Sequence, residues 1–325
     1  MSWLDIATAK RKTVGQPALV DTCFIGALYN VAFPMVVLRT GWEPQMLPWA
    51  WLAWFTQMIG ALLVYHRFFS HRAFKTSRAF ALVLALVGIT SGQGGPIFWA
   101  AHHRSHHKTC ESAGDVHSPL EYGGSLHPLL RFLHAQGGYL FTHRVGEPYG
   151  ASVADWTRYP EIVLVDKLAP WLFLSLGPFV YVTCGPATFA YCYCGATFCS
   201  WNAVQLVNSV CHMHGDRKYA TPGTPECEAR NIWWLWPVML GANWHSNHHA
   251  FPRCGREGFE WWEIDPLYYV LCVLRALGLV WEVRQPDTAR LELFCARSRR
   301  LQAASNSKFA PRRSVSPSRV TESTQ

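Results

Sequence analysis

The sequence predicts an all-α integral membrane protein: four transmembrane helices with a cytosolic helical cap that holds a histidine-rich metal centre. Three observations predict it. Only 15% of the 325 residues are charged and 16 are Trp, against about a quarter charged in an ordinary soluble domain. Four stretches are apolar enough to cross a bilayer, which takes about 20 residues of helix. Histidines gather in short clusters beside the ends of those stretches. The mean hydropathy of +0.03 still leaves much of the chain in water, as a polar cap on a membrane domain requires.

Residues 1–18, "MSWLDIATAKRKTVGQPA", lack the apolar core of a secretory signal and read as a cytosolic N-terminal segment. The membrane domain is expected over 19–285. Its first span, 19–38, carries Asp21, Asn30 and Pro34 as blemishes. The second, 48–65, is flanked by Trp49, Trp51 and Trp54, a residue type that collects at the headgroup level. The stretch 80–101 opens with "FALVLALVGI" but runs into "TSGQGGP", so it is expected to lie at the interface or re-enter. Spans three and four, 168–184 and 186–210, flank a short uncharged turn. Residues 286–325 form a basic tail, Ser/Arg-rich from Arg297 and expected to be disordered. Its expected partner is anionic lipid, not nucleic acid. The 11 cysteines include no CxxC pair and are expected to be small, buried, reduced side chains.

Parity places the histidines. His66 and His71 follow span two, His102–His107 precede span three, and His212 and the 245–249 group follow span four. With four crossings, all of them share one face of the membrane. The basic "KRK" at 10–12 and the basic tail fall on that same face, which the positive-inside rule makes cytosolic. The expected compartment is the endoplasmic reticulum membrane in a eukaryote and the plasma membrane in a bacterium.

Three groups carry the metal chemistry: "HRFFSH" (His66, His71), "HRSHH" (His103, His106, His107) and "HSNHH" (His245, His248, His249). Positions i, i+3 and i+4 lie on one helix face, so the last two groups each present three imidazoles in one direction. His66 and His71 are five apart, roughly 140° around an ideal helix, and converge only if the helix ends or bulges there. Eight imidazoles exceed what one metal uses, so two metals with five or six ligands each are expected. Imidazole suits Fe, Zn, Cu or Ni alike. Glu111 and Asp115 lie close enough to partner the rings, and His102 and His117 close enough to sit behind them.

HxxxxH, HRxHH and HxxHH, in this order and divided by paired spans, resemble the membrane fatty acid desaturases, most closely the delta-9 acyl-CoA and acyl-lipid (stearoyl-CoA desaturase-like) branch. Supporting stretches are "GQGGPIFWAAHHRSHHK", "NSVCHMHG", "NHHAFP" and "GFEWWEIDPLYYVLCVLRALGLVWEV". The resemblance implies a non-haem centre of two iron ions that uses O2 to place a cis double bond in a saturated acyl chain. Electrons usually come from cytochrome b5 or a ferredoxin, here expected as a separate protein. It also implies a ninth ligand, His212, and a metal-bound water held by Asn208.

The chain departs from the family where "GANWHS" stands for Gly-Glu-Gly-aromatic-His-Asn, giving Ala242, Asn243 and Ser246. It departs again at Ala101-His102, where animal acyl-CoA desaturases have the Arg-Asp that helps hold coenzyme A. Acyl-CoA and acyl-lipid substrates therefore both stay open. A hydroxylase on the same scaffold is the rival, separated by product analysis. A metal transporter places its ionisable groups inside the spans, whereas these histidines flank them. For the substrate tunnel, the face of span two below His66 is expected to supply Leu62, Ile59, Met58, Phe55 and neighbouring Trp54, with Phe55 about 16 Å deeper than His66.

The parity count is open to a direct check. Tags at residue 1 and residue 325 should both be reached from the cytosol without opening internal membranes, and a tag beside Gly185 should be protected. Termini on opposite faces overturn the four-span reading.

Overall fold

Two long apolar runs dominate the computed structural model, which describes residues 12–14, 22–112, 114–120, 126–145, 151–219, 221, 227–287 and 289–296. Helix α1 is Phe24–Thr40, α2 is Pro44–Ser70, and α3 is the shorter Arg78–Ile89. Helix α4, Pro96–Thr109, carries the second histidine group. The run Pro160–His212 follows, and α2 and this run are long and apolar enough to cross a membrane by length and composition. The 80–101 stretch does not continue as one helix, because α3 ends before a loop with positive φ at Gly92 and Gly94.

The 53-residue run is two helices, α5 (160–184) and α6 (186–212), because Gly185 takes φ +85° between them. The chain doubles back there. Tyr181 meets Phe189 at 5.7 Å between ring centroids, and the Tyr193 hydroxyl donates to the Phe173 carbonyl at 3.1 Å. Helix α5 starts eight residues earlier than the expected third span, since Pro160 suits a first turn whose N–H has no partner. Two short strand pairs, Lys12–Val14 with His143–Val145 and Lys75–Thr76 with Val280–Trp281, modify the all-α expectation only locally.

Glycines set how closely the first layers pack. A Cβ on Gly88 would lie 2.0 Å from the Tyr65 ring, and one on Gly60 2.8 Å from the Val87 carbonyl, so α2 and α3 meet backbone to side chain at Gly88 and backbone to backbone at Gly60. Polar contacts fix the register inside: Ser200 donates to Gln57 at 2.7 Å and Asn202 to Asn30 at 3.2 Å. The outer faces of α1, α2 and α5 stay apolar, with Leu38, Trp49, Trp51, Phe179 and Val182 exposed, as helices facing lipid require.

Most of the N-terminal segment 1–18 and the tail from 297 lie outside the described residues. Within the expected tail 286–325, residues 289–296 are helical and Phe294 packs on Phe251 at 5.2 Å. The cysteine expectation is also corrected. Eight described cysteines are free, but Cys110 and Cys227 form a disulfide. The turn after α4 and the segment before the third histidine group bring their Cα atoms to 5.3 Å, within disulfide reach.

Helix α4 is aimed by a cap from another helix. The Asp166 carboxylate on α5 accepts from the Ile97 and Phe98 amides at 2.6 and 2.9 Å, taking up donors that α4 itself leaves unpaired. A Cβ on Gly95 would lie 2.2 Å from that carboxylate. Asp166→Ala should therefore lower stability by about 1–2 kcal/mol, read as a lower unfolding midpoint in detergent. Asp166→Asn, which keeps an acceptor, should recover most of the loss. Equal loss in both variants overturns the capping role.

Candidate metal centre

The end of α2 solves the five-residue spacing. Ile59–Ser70 is wound as a π-helix, the i→i+5 winding often found at functional sites. The His71 amide accordingly donates to the His66 carbonyl at 3.2 Å. Both rings thus face the same point, 5.0 Å apart between centroids. On α4, His103 and His107 converge by the expected i, i+4 spacing, with ring nitrogens 3.0 Å apart. Helix α7, His245–Ala250, presents His245, His248 and His249. His212 arrives from the short turn that ends α6.

The structure brings all nine sequence-predicted histidines into two groups. His66, His71, His103, His107 and His248 form one; His106, His212, His245 and His249 form the other. The Nε2 atoms approach pairwise. His103 lies 2.8 Å from His71, His107 2.8 Å from His248, and His66 3.0 Å from His248 in the first group. His212 lies 2.9 Å from His245, and His249 3.0 Å from His245, in the second. Metal–nitrogen bonds of about 2.1 Å place octahedral neighbours about 3 Å apart, so these spacings fit the edges of a coordination shell. Burial keeps the rings neutral, which is the form that binds metal. It pushes His71 down to about 3 and His106 to about 4, and puts His103, His107, His245, His248 and His249 well below their ordinary value.

Carboxylates hold the far sides of several rings. Asp115 accepts from His106 Nδ1 at 3.0 Å and Glu111 from His212 Nδ1 at 3.1 Å, the two acidic partners anticipated from sequence. Glu257 was not anticipated. Its Oε1 lies 3.3 Å from His66 Nδ1 and 3.6 Å from His248 Nδ1. Burial pushes its carboxyl up to about 7 against the pull of Arg67. It sits in a loop eight residues past His249, where no periodicity singles it out. His117 Nδ1 lies 3.0 Å from the Asp115 carboxylate, behind His106. His134 bonds the Val116 carbonyl, and His127 accepts from the Leu129 amide. Neither joins the groups.

Scaffolding contacts clamp the three clusters together. Arg67, fully buried, donates to Glu257, to the Gly255 carbonyl and to Asp265 at 2.9–3.1 Å. Arg104 ties α4 to the Phe69 and Ser70 carbonyls at the end of α2. Asn231 accepts from the Ser246 and Asn247 amides at the start of α7. Two of the three departures at 242–246 are absorbed here: Asn243 donates to the Ile232 carbonyl, and Ser246 accepts from the Tyr219 amide.

A cavity of about 230 Å³ opens against both groups, touching His66, His103, His106 and His245. Asn208 and Ala242 line it beside them, and the Asn208 amide donates to Gln205 at 2.9 Å. It then runs between Tyr29, Phe173, Leu174 and Trp201. Of the five tunnel residues expected on α2, only Leu62 lines this cavity. Trp54, Phe55, Met58 and Ile59 do not, because the cavity leaves α2 one turn below His66 and turns towards α1, α5 and α6. Met58 is instead buried in the core.

Two buried histidine groups, each able to hold a metal ion, thus lie against a cavity with largely apolar walls. Residues 41–278 match the fatty acid desaturase family, and the chain belongs to that family. It is 33% identical over 230 residues to delta-9 desaturase-like 1 protein of Arabidopsis thaliana, covering 70% of this chain and 72% of that protein. It is 32% identical over 252 residues to delta-9 acyl-lipid desaturase 2 of the same plant, covering 76% and 79%. It is 32% identical over 243 residues to acyl-CoA 5-desaturase AL21 of Anemone leveillei, covering 71% and 68%.

The neutral rings predict an acid-sensitive apo-protein. In the fold, His71 and His106 protonate only near about 3 and 4, whereas unfolded histidine does so near about 6.5. As pH falls below about 6.5 the unfolded chain takes up protons first, so stability present above that pH is lost towards about 4. Unfolding midpoints of chelator-treated protein should fall across this window. A flat profile overturns the claim that these rings are held neutral.

Proposed function

We propose that this chain is an O2-dependent acyl desaturase that introduces a cis double bond, at delta-9, into a saturated acyl chain at a centre of two iron ions. The single observation that carries the reading is the cavity that borders both histidine groups and is walled by apolar residues, Tyr29, Phe173 and Trp201 among them. The five-histidine and four-histidine groups are the residues proposed to hold the irons. When bound, the irons would supply the reduction of O2 to water and the oxidising power that removes two hydrogens from neighbouring methylenes. The chain's own part is positioning. Apolar walls exclude water and fix the methylenes beside the rings, and Asn208 is proposed to orient a water there.

Lys167, His102 and Ser105 also border the cavity and mark the end proposed to take the polar head of the substrate. The delta-9 and acyl-lipid names among the relatives favour that regiochemistry and an acyl-lipid substrate, with acyl-CoA as the alternative. The four-span topology with both termini cytosolic, the internal-membrane location and a separate cytochrome b5 or ferredoxin donor belong to the same proposal.

Expression in a desaturase-deficient host fed saturated acids of graded length, followed by fatty acid profiling, tests the reading. A new cis double bond at a fixed distance from the carboxyl is expected, and a hydroxylated product overturns it. Alanine at any of the eight box histidines should abolish the product and lower bound iron. Tyr29→Ala should raise the ratio of longer to shorter products by about tenfold, the discrimination that a single methylene carries in an apolar pocket. Phe55→Ala should leave that ratio unchanged.

A further inference from the structure

One ring of the four-histidine group rests on sulfur where others rest on carboxylate. His249 Nδ1 lies 3.3 Å from Cys227 Sγ, whereas His106 and His212 use Asp115 and Glu111. Cys227 is bonded to Cys110, the residue that ends α4 directly after its histidines. The neighbours reinforce the link, since the Glu228 amide donates to Glu111, which in turn holds His212. The disulfide therefore ties the second histidine group to the segment that leads into the third, directly behind the four-histidine group.

We propose that Cys110 and Cys227 are a peroxide-responsive modification site whose disulfide form locks the four-histidine group and whose dithiol form loosens it. The inference rests on the reading that this group holds a metal. Hydrogen-bond direction supplies the coupling. A disulfide sulfur has no hydrogen and can only accept, so His249 must carry its proton on Nδ1. The Nε2 lone pair then faces His245 and His106, 3.0 and 3.3 Å away. A thiol can donate to Nδ1 instead, which moves the ring proton to Nε2 and takes the lone pair from the metal.

The location argues for a responsive bond. The histidine face is read as cytosolic, where thiols are kept reduced and the disulfides that do occur are mostly transient or redox-sensing. Both sulfurs are fully buried, which favours a small oxidant formed nearby. Hydrogen peroxide, the two-electron reduction product of O2, is such an oxidant. One thiol attacks it, the O–O bond breaks, and a sulfenic acid and one water result. The second thiol attacks the sulfenic sulfur, the S–S bond forms, and a second water leaves. Two thiols lose two electrons and two protons, and peroxide becomes two waters.

The test uses full-length, iron-loaded protein in detergent, first reduced with dithiothreitol and then treated or not with hydrogen peroxide. Differential alkylation with peptide mass mapping reads the thiols, and iron loss to a chelator reads the lock. The Cys110–Cys227 link should appear with peroxide and reopen with reductant. Iron loss should be about tenfold slower in the linked form, the scale on which partners of ligand rings alter metal affinity. Cys110→Ser should form no link and lose iron at the reduced rate in both treatments. Free alkylation of both cysteines after peroxide, a link that reductant cannot open in the folded protein, or equal iron loss in both forms each overturns the proposal. A chain that binds no iron in either state overturns the metal reading, and the locking with it, while the alkylation map still judges the thiol chemistry.

Discussion

Nine ring nitrogens converge here on two points at separations near 3 Å, and most of the remaining structure serves to hold them there. Neutral imidazoles that face one another with lone pairs gain nothing from the approach, and burial removes the water that would otherwise solvate them. Such an arrangement persists only if the backbone is fixed independently of the rings. The π-winding at the end of α2, the Asp166 cap on α4 and the Asn231 cap on α7 do this for the three clusters. Arg67 then joins the end of α2 to the loop past α7 through two carboxylates and a carbonyl. A buried pair of this kind is costly to break, about 3–5 kcal/mol when one partner is removed.

The two groups differ in what stands behind them. Glu257 Oε1 stands beside both His66 and His248 in the five-histidine group, at 3.3 and 3.6 Å from their Nδ1 atoms, as a nearby charge and not as a hydrogen-bond acceptor. The four-histidine group has Asp115, Glu111 and a sulfur, one for each of three rings. Acceptors on Nδ1 raise ring basicity and fix the tautomer. The two histidine groups therefore differ in the partners behind their rings.

The clusters were legible because metal binding leaves a mark in spacing. The spacings at 103–107 and 245–249 put the rings at the site, but not all three of a cluster in one direction: His106 parts from His103 and His107, and His248 from His245 and His249, to join the opposite group. The spacing of His66 and His71 signalled a local irregularity, and the π-winding is that irregularity. Parity kept all the histidines on one face and excluded 80–101 as a crossing, which agrees with α3 stopping at Ile89. Glu257 and the Cys110–Cys227 pair were not legible. They come from loops, over separations of 190 residues from Arg67 for the first and 117 for the second, and no local period records contacts of that kind. The expected tunnel meets this cavity only at Leu62, for a related reason. It followed one helix face downward, whereas the cavity is bounded by whichever helices pack beside it.

Those neighbours account for the polar residues of the first span. Tyr29, Asn30 and Pro34 are poor choices for a helix that only needs to face lipid. Tyr29 is fully buried, donates to the Gly92 carbonyl at 2.6 Å, and meets Trp201 edge-on at 5.2 Å. A Cβ on Gly92 would lie 2.6 Å from that hydroxyl, so the positive-φ turn before α4 leaves the room the phenol needs. Asn30 accepts from Asn202 on α6, which sets α1 against the helix that carries Trp201. Pro34 sits inside α1, at the point where a π segment, Leu28–Ala32, gives way to α-helix. From α1, Tyr29 and Ile25 line the cavity, while Asn30 holds the helix in place beside it. A helix that looks like a weak membrane span by composition is, by its packing, a wall of the site.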